Sequence, residues 1–182
     1  MIFTESHLRG NYLIDLELRS DDRGFFARYF CEREFQTHDL NTKWVQINNS
    51  LCKDSRTLRG LHFQRPPHSE VKLVRCLKGA IWDVVVDLRQ DSKTFGKWFG
   101  ATLSAENRTM MYAPQGFAHG FISLEANSEI LYLVSSFYEP ASENTLLWSD
   151  PHIGIAWPIL PDLISAKDSI GSLLSEIGPI RI

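Results

Sequence analysis

The run Leu58-Arg-Gly-Leu-His-Phe-Gln64 sets a guanidinium and an imidazole inside an otherwise apolar stretch. By itself a histidine in such a run is more often a neutral core imidazole bonded to backbone than a catalyst. Company changes that balance. Arg59, His62, Lys72, His119 and Tyr132 all fall on or beside stretches that read as strands. Burying each polar group without a partner is costly, whereas a shared cavity accommodates them together. The chemistry on offer is proton transfer by an imidazole poised near neutral pH, with cations to hold negative charge and a planar guanidinium to fork onto an anion.

The elements that must position these groups are short and extended. Tyr12 to Leu18 alternates as a strand, Ser20 to Gly24 supplies turn residues, and Phe25-Phe-Ala-Arg-Tyr-Phe30 follows. That aromatic run suits either core or a stacking surface, with core favoured by the burial preference of phenylalanine. Cys31 to His38 reads as a short helix and Lys43 to Ser50 as an extended segment. Strands are predicted at Val71–Leu77, Ala80–Leu88, Lys93–Ser104, Thr109–Tyr112, Gly120–Leu124 and Glu129–Ser135, each rich in β-branched or aromatic residues and ended by turn residues. Within Ala80–Leu88, Trp82, Val84, Val86 and Leu88 form a clean core face. Ile81, Asp83, Val85 and Asp87 form a mixed face that looks into a cavity or solvent. After Ser165-Ala-Lys-Asp168, the spacing of Ile170, Leu173, Leu174 and Ile177 fits a short amphipathic C-terminal helix stopped by Gly178-Pro179.

At 182 residues, 43% hydrophobic and 23% charged, the chain has the size and composition of one globular domain. We divide it into N-terminal strands and helix (1–55), a barrel core (56–158) and a C-terminal segment (159–182). A net charge of −3 provides no basic footprint for nucleic acid or an anionic membrane, so any bound anion must be held locally. Cys31, Cys52 and Cys76 are odd in number and widely spaced, which indicates reduced thiols. The first residues do not resemble a signal peptide and no apolar run approaches a membrane span, so a cytoplasmic location is expected.

Pro114-Gln-Gly-Phe-Ala-His119 has the Pro-x-Gly-x-x-His shape of the second cupin motif, in which a tight turn launches a strand whose histidine points into a barrel. A metal-binding cupin also needs His-x-His followed by Glu, because a divalent cation takes three or four N/O ligands. Here Gln64 follows Phe63 and Glu70 is too distant, so the expectation is a cupin with no metal.

Nearly the whole chain resembles the dTDP-4-dehydrorhamnose 3,5-epimerase family. The resemblance is carried by Asp22-Arg-Gly-Phe-Phe26, Leu58–Gln64, Lys72-Leu-Val-Arg-Cys76, Trp82-Asp-Val-Val-Val-Asp-Leu-Arg89, Thr94-Phe-Gly-Lys-Trp98, Leu103-Ser-Ala-Glu-Asn107, Gly116-Phe-Ala-His-Gly-Phe121, Leu147-Trp-Ser-Asp-Pro151 and Ser165-Ala-Lys-Asp168, in matching order. It implies an all-β, cupin-type double-stranded β-helix (jelly roll) with short peripheral helices. The implied assembly is a homodimer that needs no cofactor and epimerises nucleotide-linked 4-keto-6-deoxy sugars on the way to dTDP-L-rhamnose, a precursor of cell-surface polysaccharide.

Carried over by position, the resemblance makes His62 the proton acceptor, Asp168 the carboxylate that orients it, and Tyr132 the proton donor on the opposite sugar face. Lys72 and His119 would lie near the keto oxygen and hydroxyls. Arg23, Arg59 and Lys167 match diphosphate-side contacts, Arg28, Gln46 and Asn48 match binding positions, Tyr138 matches the ring that stacks on the base, and Glu143 a binding glutamate. A proton beside the C4 ketone is weakly acidic, so its removal needs such a base and a donor for the enolate. The chain departs from the family pattern at Arg28, Ile47, Asn49, Leu133 and Ser149, where the family commonly has Glu, Asp, His, Lys and Asn. Arg28 reverses a charge at a binding position. Competing expectations are a single-centre epimerase, a metal-dependent cupin enzyme such as an oxygenase, and a non-catalytic sugar-nucleotide-binding cupin.

Overall fold

The computed structural model describes all 182 residues. In chain order the elements are β1 (Ile2–Glu5), β2 (Tyr12–Asp15), β3 (Arg19–Asp21), β4 (Gly24–Phe26), α1 (Glu32–Gln36), β5 (Gln46–Cys52), β6 (Thr57–Gln64), β7 (Lys72–Lys78), β8 (Ala80–Asp87), β9 (Trp98–Ser104), β10 (Met110–Ala113), β11 (Phe117–Ser123), β12 (Ser128–Val134), β13 (Glu143–Thr145), β14 (Leu163–Ile164), α2 (Ala166–Ser169) and α3 (Leu174–Ile177). Two six-stranded sheets face each other. One runs β1-β2-β10-β7-β12-β5; the other runs β13-β6-β11-β8-β9, with β14 parallel to β6. All other pairings between these strands are antiparallel, and β3-β4 forms a separate hairpin. This is the jelly roll of the cupin type.

Side-chain alternation sorts the apolar residues into three layers. Val74, Ile81, Val85, Leu103, Met111, Phe117 and Ile130 fill the space between the sheets. Ile14, Leu73, Met110 and Tyr112 lie behind the first sheet, covered by Phe35 of α1. Leu61, Phe63, Val84, Val86 and Ala118 lie behind the second, covered by Leu146, Ile153, Ile177 and Ile180. Both faces of β8 are therefore buried. The mixed face points between the sheets, where Asp83 and Asp87 are fully buried, and the clean face packs under the C-terminal segment. Alternation reports which residues share a side, but not what covers it.

Several sequence expectations are corrected. Instead of one C-terminal helix there are two four-residue turns, α2 and α3, separated by Ile170–Leu173. The break brings Ser172 beside Leu146, and Ile170, an apparent core position, is 81% exposed. The strand expected from Lys93 starts at Trp98, because Thr94–Lys97 closes a turn through Lys97 N–H to Thr94 O at 2.9 Å. The strand expected from Gly120 starts at Phe117, which places His119 inside it. The aromatic run divides: Phe25 and Phe26 on the hairpin are exposed, while Tyr29 and Phe30 pack against the layer around Phe35. Strands β13 and β14, three and two residues long, are too short for periodicity to reveal.

One close approach sets the site. A Cβ on Gly60 would lie 2.7 Å from the Gly120 Cα, and one on Gly120 would lie 2.7 Å from the Arg59 carbonyl oxygen. Gly60 also has φ +117°, a region that side chains with a Cβ rarely enter. With glycine on both strands, β6 and β11 come together and His62 stands opposite His119 in register.

Candidate active site

The strands β6, β7, β11 and β12 and the turn α2 carry side chains into a cavity of about 470 Å³, whose lining includes Arg59, His62, Lys72, His119, Tyr132, Lys167 and Asp168. A second cavity of about 340 Å³ adjoins it and adds Gln46, Asn48, Gln64, Glu70, Tyr138 and Glu143. His62, Lys72 and Tyr132 line both, so the two make one groove with these residues at its waist. A cleft of about 670 Å³ elsewhere, between Arg9, Arg89 and Arg181, is larger than either cavity alone. His7 in its lining makes no ion pair with a carboxylate, whereas the groove holds the His62–Asp168 pair.

His62 Nε2 lies 2.6 Å from Asp168 Oδ1, with the imidazole one-third exposed and the carboxylate 5% exposed. The other oxygen, Oδ2, accepts from the Gly60 N–H at 3.2 Å, and the Asp168 N–H is capped by Ser165 Oγ at 3.0 Å. Burial alone would push the Asp168 carboxyl up. The hydrogen bond and charge of His62, together with the Gly60 and Ser165 bonds, outweigh it and hold the group below the usual carboxylate range. An ionised Asp168 can only accept, so Nε2 carries the proton and Nδ1 is the basic nitrogen.

Tyr132 sits on β12, paired with Asn48 of β5 and Val74 of β7. Burial and the negative charge of Glu70 raise its phenol, against a smaller opposing effect of Arg59. The hydroxyl is therefore protonated at neutral pH and suited to donate. Lys72 Nζ is 3.0 Å from Glu70 Oε1 and donates to the His62 carbonyl at 3.3 Å. His119 Nε2 bonds Asp83 Oδ1 at 2.8 Å, while Asp83 Oδ2 is buried without a partner.

At the outer end, the Tyr138 ring is exposed but tethered. Its hydroxyl donates to Glu143 Oε2 at 2.7 Å, and its N–H donates to Gln46 Oε1 at 2.9 Å. The bond to Glu143 is the main cause that raises the Tyr138 phenol. Burial works to raise Glu143, but hydrogen bonds from Lys167 and Tyr138 lower it. Lys167 Nζ is 2.5 Å from Glu143 Oε2. Arg59 donates one bond, to the Leu51 carbonyl at 3.2 Å, and is otherwise open to the groove.

The groove thus collects His62, Tyr132, Asp168, Lys72, Arg59, His119, Lys167, Gln46, Asn48, Tyr138 and Glu143. Arg23 and Arg28 are not brought into it by this chain. Arg23 projects from the exposed hairpin, paired with Asp21 at 2.6 Å, and Arg28 faces Glu34 at 4.0 Å. Sequence reasoning missed Asp83, Ser165 and Glu70 as site residues. Glu70 stands two positions before Lys72 in extended chain, a spacing that puts both on one side. Gln64 proves to be a loop brace: its amide oxygen accepts from Glu139 N–H at 2.6 Å. No three His, Cys, Asp or Glu are grouped as metal ligands would be.

This arrangement has relatives. Residues 5–176 match the family model described as dTDP-4-dehydrorhamnose 3,5-epimerase. The enzyme of that name from Salmonella typhimurium is 42% identical over 179 residues, covering 97% of each chain. The crystal structure of dTDP-6-deoxy-D-glucose-3,5-epimerase from Legionella pneumophila, in complex with dTDP-4-keto-L-rhamnose, superposes with a TM-score of 0.90 at 34% identity, covering 100% of this chain and 98% of that one. A 3'-monoepimerase from Streptomyces bikiniensis, in complex with dTDP-quinovose, superposes at 0.86 with 33% identity, covering 93% and 86%.

Proposed function

As this chain belongs to the dTDP-4-dehydrorhamnose 3,5-epimerase family and is an isomerase, we propose that it inverts C3 and C5 of dTDP-4-dehydro-6-deoxy-D-glucose, giving dTDP-4-dehydro-L-rhamnose. The observation that carries this reading is the shared groove in which the His62–Asp168 pair, Lys72 and Tyr132 meet. Both C3 and C5 neighbour the C4 ketone, so one base and one acid on opposite sugar faces serve both centres. His62 Nδ1 takes the proton, the electron pair moves onto the C4 oxygen, and Lys72 donates to that oxygen, with His119 lying near the keto oxygen and hydroxyls. The Tyr132 phenol then delivers a proton to the other face of the carbon, and His62 and Tyr132 return to their starting protonation states by exchange with solvent.

Arg59 and Lys167 serve the diphosphate, Tyr138 stacks on the base, and Gln46, Asn48 and Glu143 complete the nucleotide end. Arg23 and Arg28 would join the site from a second copy of the chain. A homodimer would also cover the outer edge of β5, which ends its sheet with Ile47 and Leu51 exposed. Sedimentation at micromolar concentration tests this: a monomer would remove Arg23 and Arg28 from the site. We place the enzyme in the cytoplasm, where its three unpaired cysteines stay reduced. No helix is long and apolar enough to cross a membrane.

Incubation with the keto sugar in deuterated water, followed by NMR, tests the reaction. Deuterium at both C3 and C5 is the expected result. Deuterium at one centre would make the chain a single-centre epimerase, like the Streptomyces bikiniensis relative, and none would remove the proposal.

A further inference from the structure

Beyond raising the Tyr132 phenol, Glu70 has no part in the mechanism above, yet it lines the second cavity of the groove beside Lys72 at the waist. Its Oε1 is 3.0 Å from Lys72 Nζ, with the two side chains only 12% and 10% exposed. An ammonium held that far from water requires a counter-charge, since an unpaired buried ion is expensive. The other carboxylates of the groove are engaged elsewhere: Asp168 by His62, Asp83 by His119, and Glu143 by Lys167 and Tyr138. Glu70 is itself braced. Gln64 Nε2 reaches its Oε2 at 3.4 Å, and the same amide nitrogen donates to the carbonyls of His68 at 3.0 Å and Phe137 at 3.2 Å. The Gln64 oxygen takes the Glu139 N–H, so the amide is fixed at both ends.

We infer that Glu70 is a positioning residue for the epimerisation: it fixes the Lys72 ammonium at the keto end of the groove so that one N–H is free for the developing enolate oxygen. The count of donors supports this. An ammonium has three N–H groups; the Glu70 carboxylate faces one side at ion-pair distance, the His62 carbonyl accepts a second N–H at 3.3 Å, and no other protein group accepts from the ammonium. Lysine has a long and flexible stem, so without an anchor its head would have to be ordered in each turnover. A donor set in place beforehand costs no reorganisation when charge appears on oxygen. The Lys72 anchor also ties the donor to the base, because the carbonyl that holds its second N–H belongs to His62.

This inference rests on the epimerase reading, and the wild-type enzyme in the deuterium assay separates the two: no exchange there would sink that reading and this one with it. Given wild-type exchange, Glu70→Gln keeps the shape and an acceptor oxygen but removes the charge. The expected result is a kcat lowered about 10–100-fold, the scale of a misplaced catalytic group, with KM and affinity for dTDP within about twofold of wild type. A kcat within about twofold of wild type would overturn the inference. If KM and dTDP affinity collapse together with kcat, the loop has been disturbed, and Glu70→Asp then decides. Return of the carboxylate must restore kcat and dTDP affinity together; restoration of affinity alone, or of neither, would also overturn it.

Discussion

His62 Nε2 donates to Asp168 Oδ1 across 2.6 Å although 106 positions separate the two residues in the chain. The second Asp168 oxygen accepts from the Gly60 N–H, so one carboxylate fixes both the imidazole and the backbone of the strand that bears it. Asp168→Asn keeps the size but offers an amide that can donate to Nε2, which favours the tautomer with Nδ1 protonated and blunts the base. Deuterium exchange should fall about 10³–10⁴-fold, the scale seen when a histidine's carboxylate partner is made neutral. Circular dichroism should remain that of the wild type.

Tyr132→Phe removes the phenol and leaves the ring. Burial and Glu70 raise its phenol, so it is suited to the acid's part in the proposed mechanism, in which its loss would spare the first proton abstraction. Exchange of substrate hydrogen into solvent should persist, while formation of inverted product falls about 10²–10⁴-fold, the usual contribution of a general acid. Equal loss of both signals would show that the base lies elsewhere.

The depressed Asp168 carboxyl links stability to pH. Its folded value lies below its unfolded one, so in acid the unfolded chain binds the extra proton. The stability contribution is complete above the ordinary carboxylate range and is lost as pH falls through the folded value. Urea midpoints measured from about pH 7 to about pH 3 should drop less steeply in Asp168→Asn than in wild type. The difference between the two curves isolates this group from Asp87 and Glu143, which are also depressed.

Gly60→Ala tests the crossing of β6 and β11. The added methyl would meet the Gly120 Cα at 2.7 Å and the His119 carbonyl at 2.8 Å, both backbone atoms, at φ +117°. Overpacking costs about 1–3 kcal/mol, and the strained φ adds to it. Chemical denaturation should show at least that loss, and the displaced strand should lower epimerase activity further. Gly154→Ala, at φ +62° with its nearest atom at 3.9 Å, is the control for backbone strain alone and should cost less.

Local chemistry made much of this legible before any coordinates. Alternation marked the middle strands, turn residues separated them, and an imidazole and guanidinium in an apolar run flagged β6 as the centre. The order of motifs gave the family, the jelly roll and eleven of the groove residues. Other features escaped because they depend on what lies opposite. The mixed face of β8 could have looked into a cavity or toward solvent, and only the facing sheet and the Asp83–His119 pair decided between them. Phe25 and Phe26 are as apolar as Phe30, yet only Phe30 found a layer to enter.

The amino-acid sequence by itself determined the middle strands, because a period of two acts within a few positions of the chain, and the kind of reaction, because the family's motifs stand in order along it; it marked His62 as the candidate base. Only the tertiary structure decided how the charges pair: Asp168 with His62, Asp83 with His119, and Glu70 with Lys72. Such pairings follow from burial, since each ion taken from water must find its partner among whatever the fold brings near. It was likewise the fold that left Arg23 on a hairpin and Arg28 beside Glu34, both outside the groove, because a single chain has no element that carries them to its own sugar site.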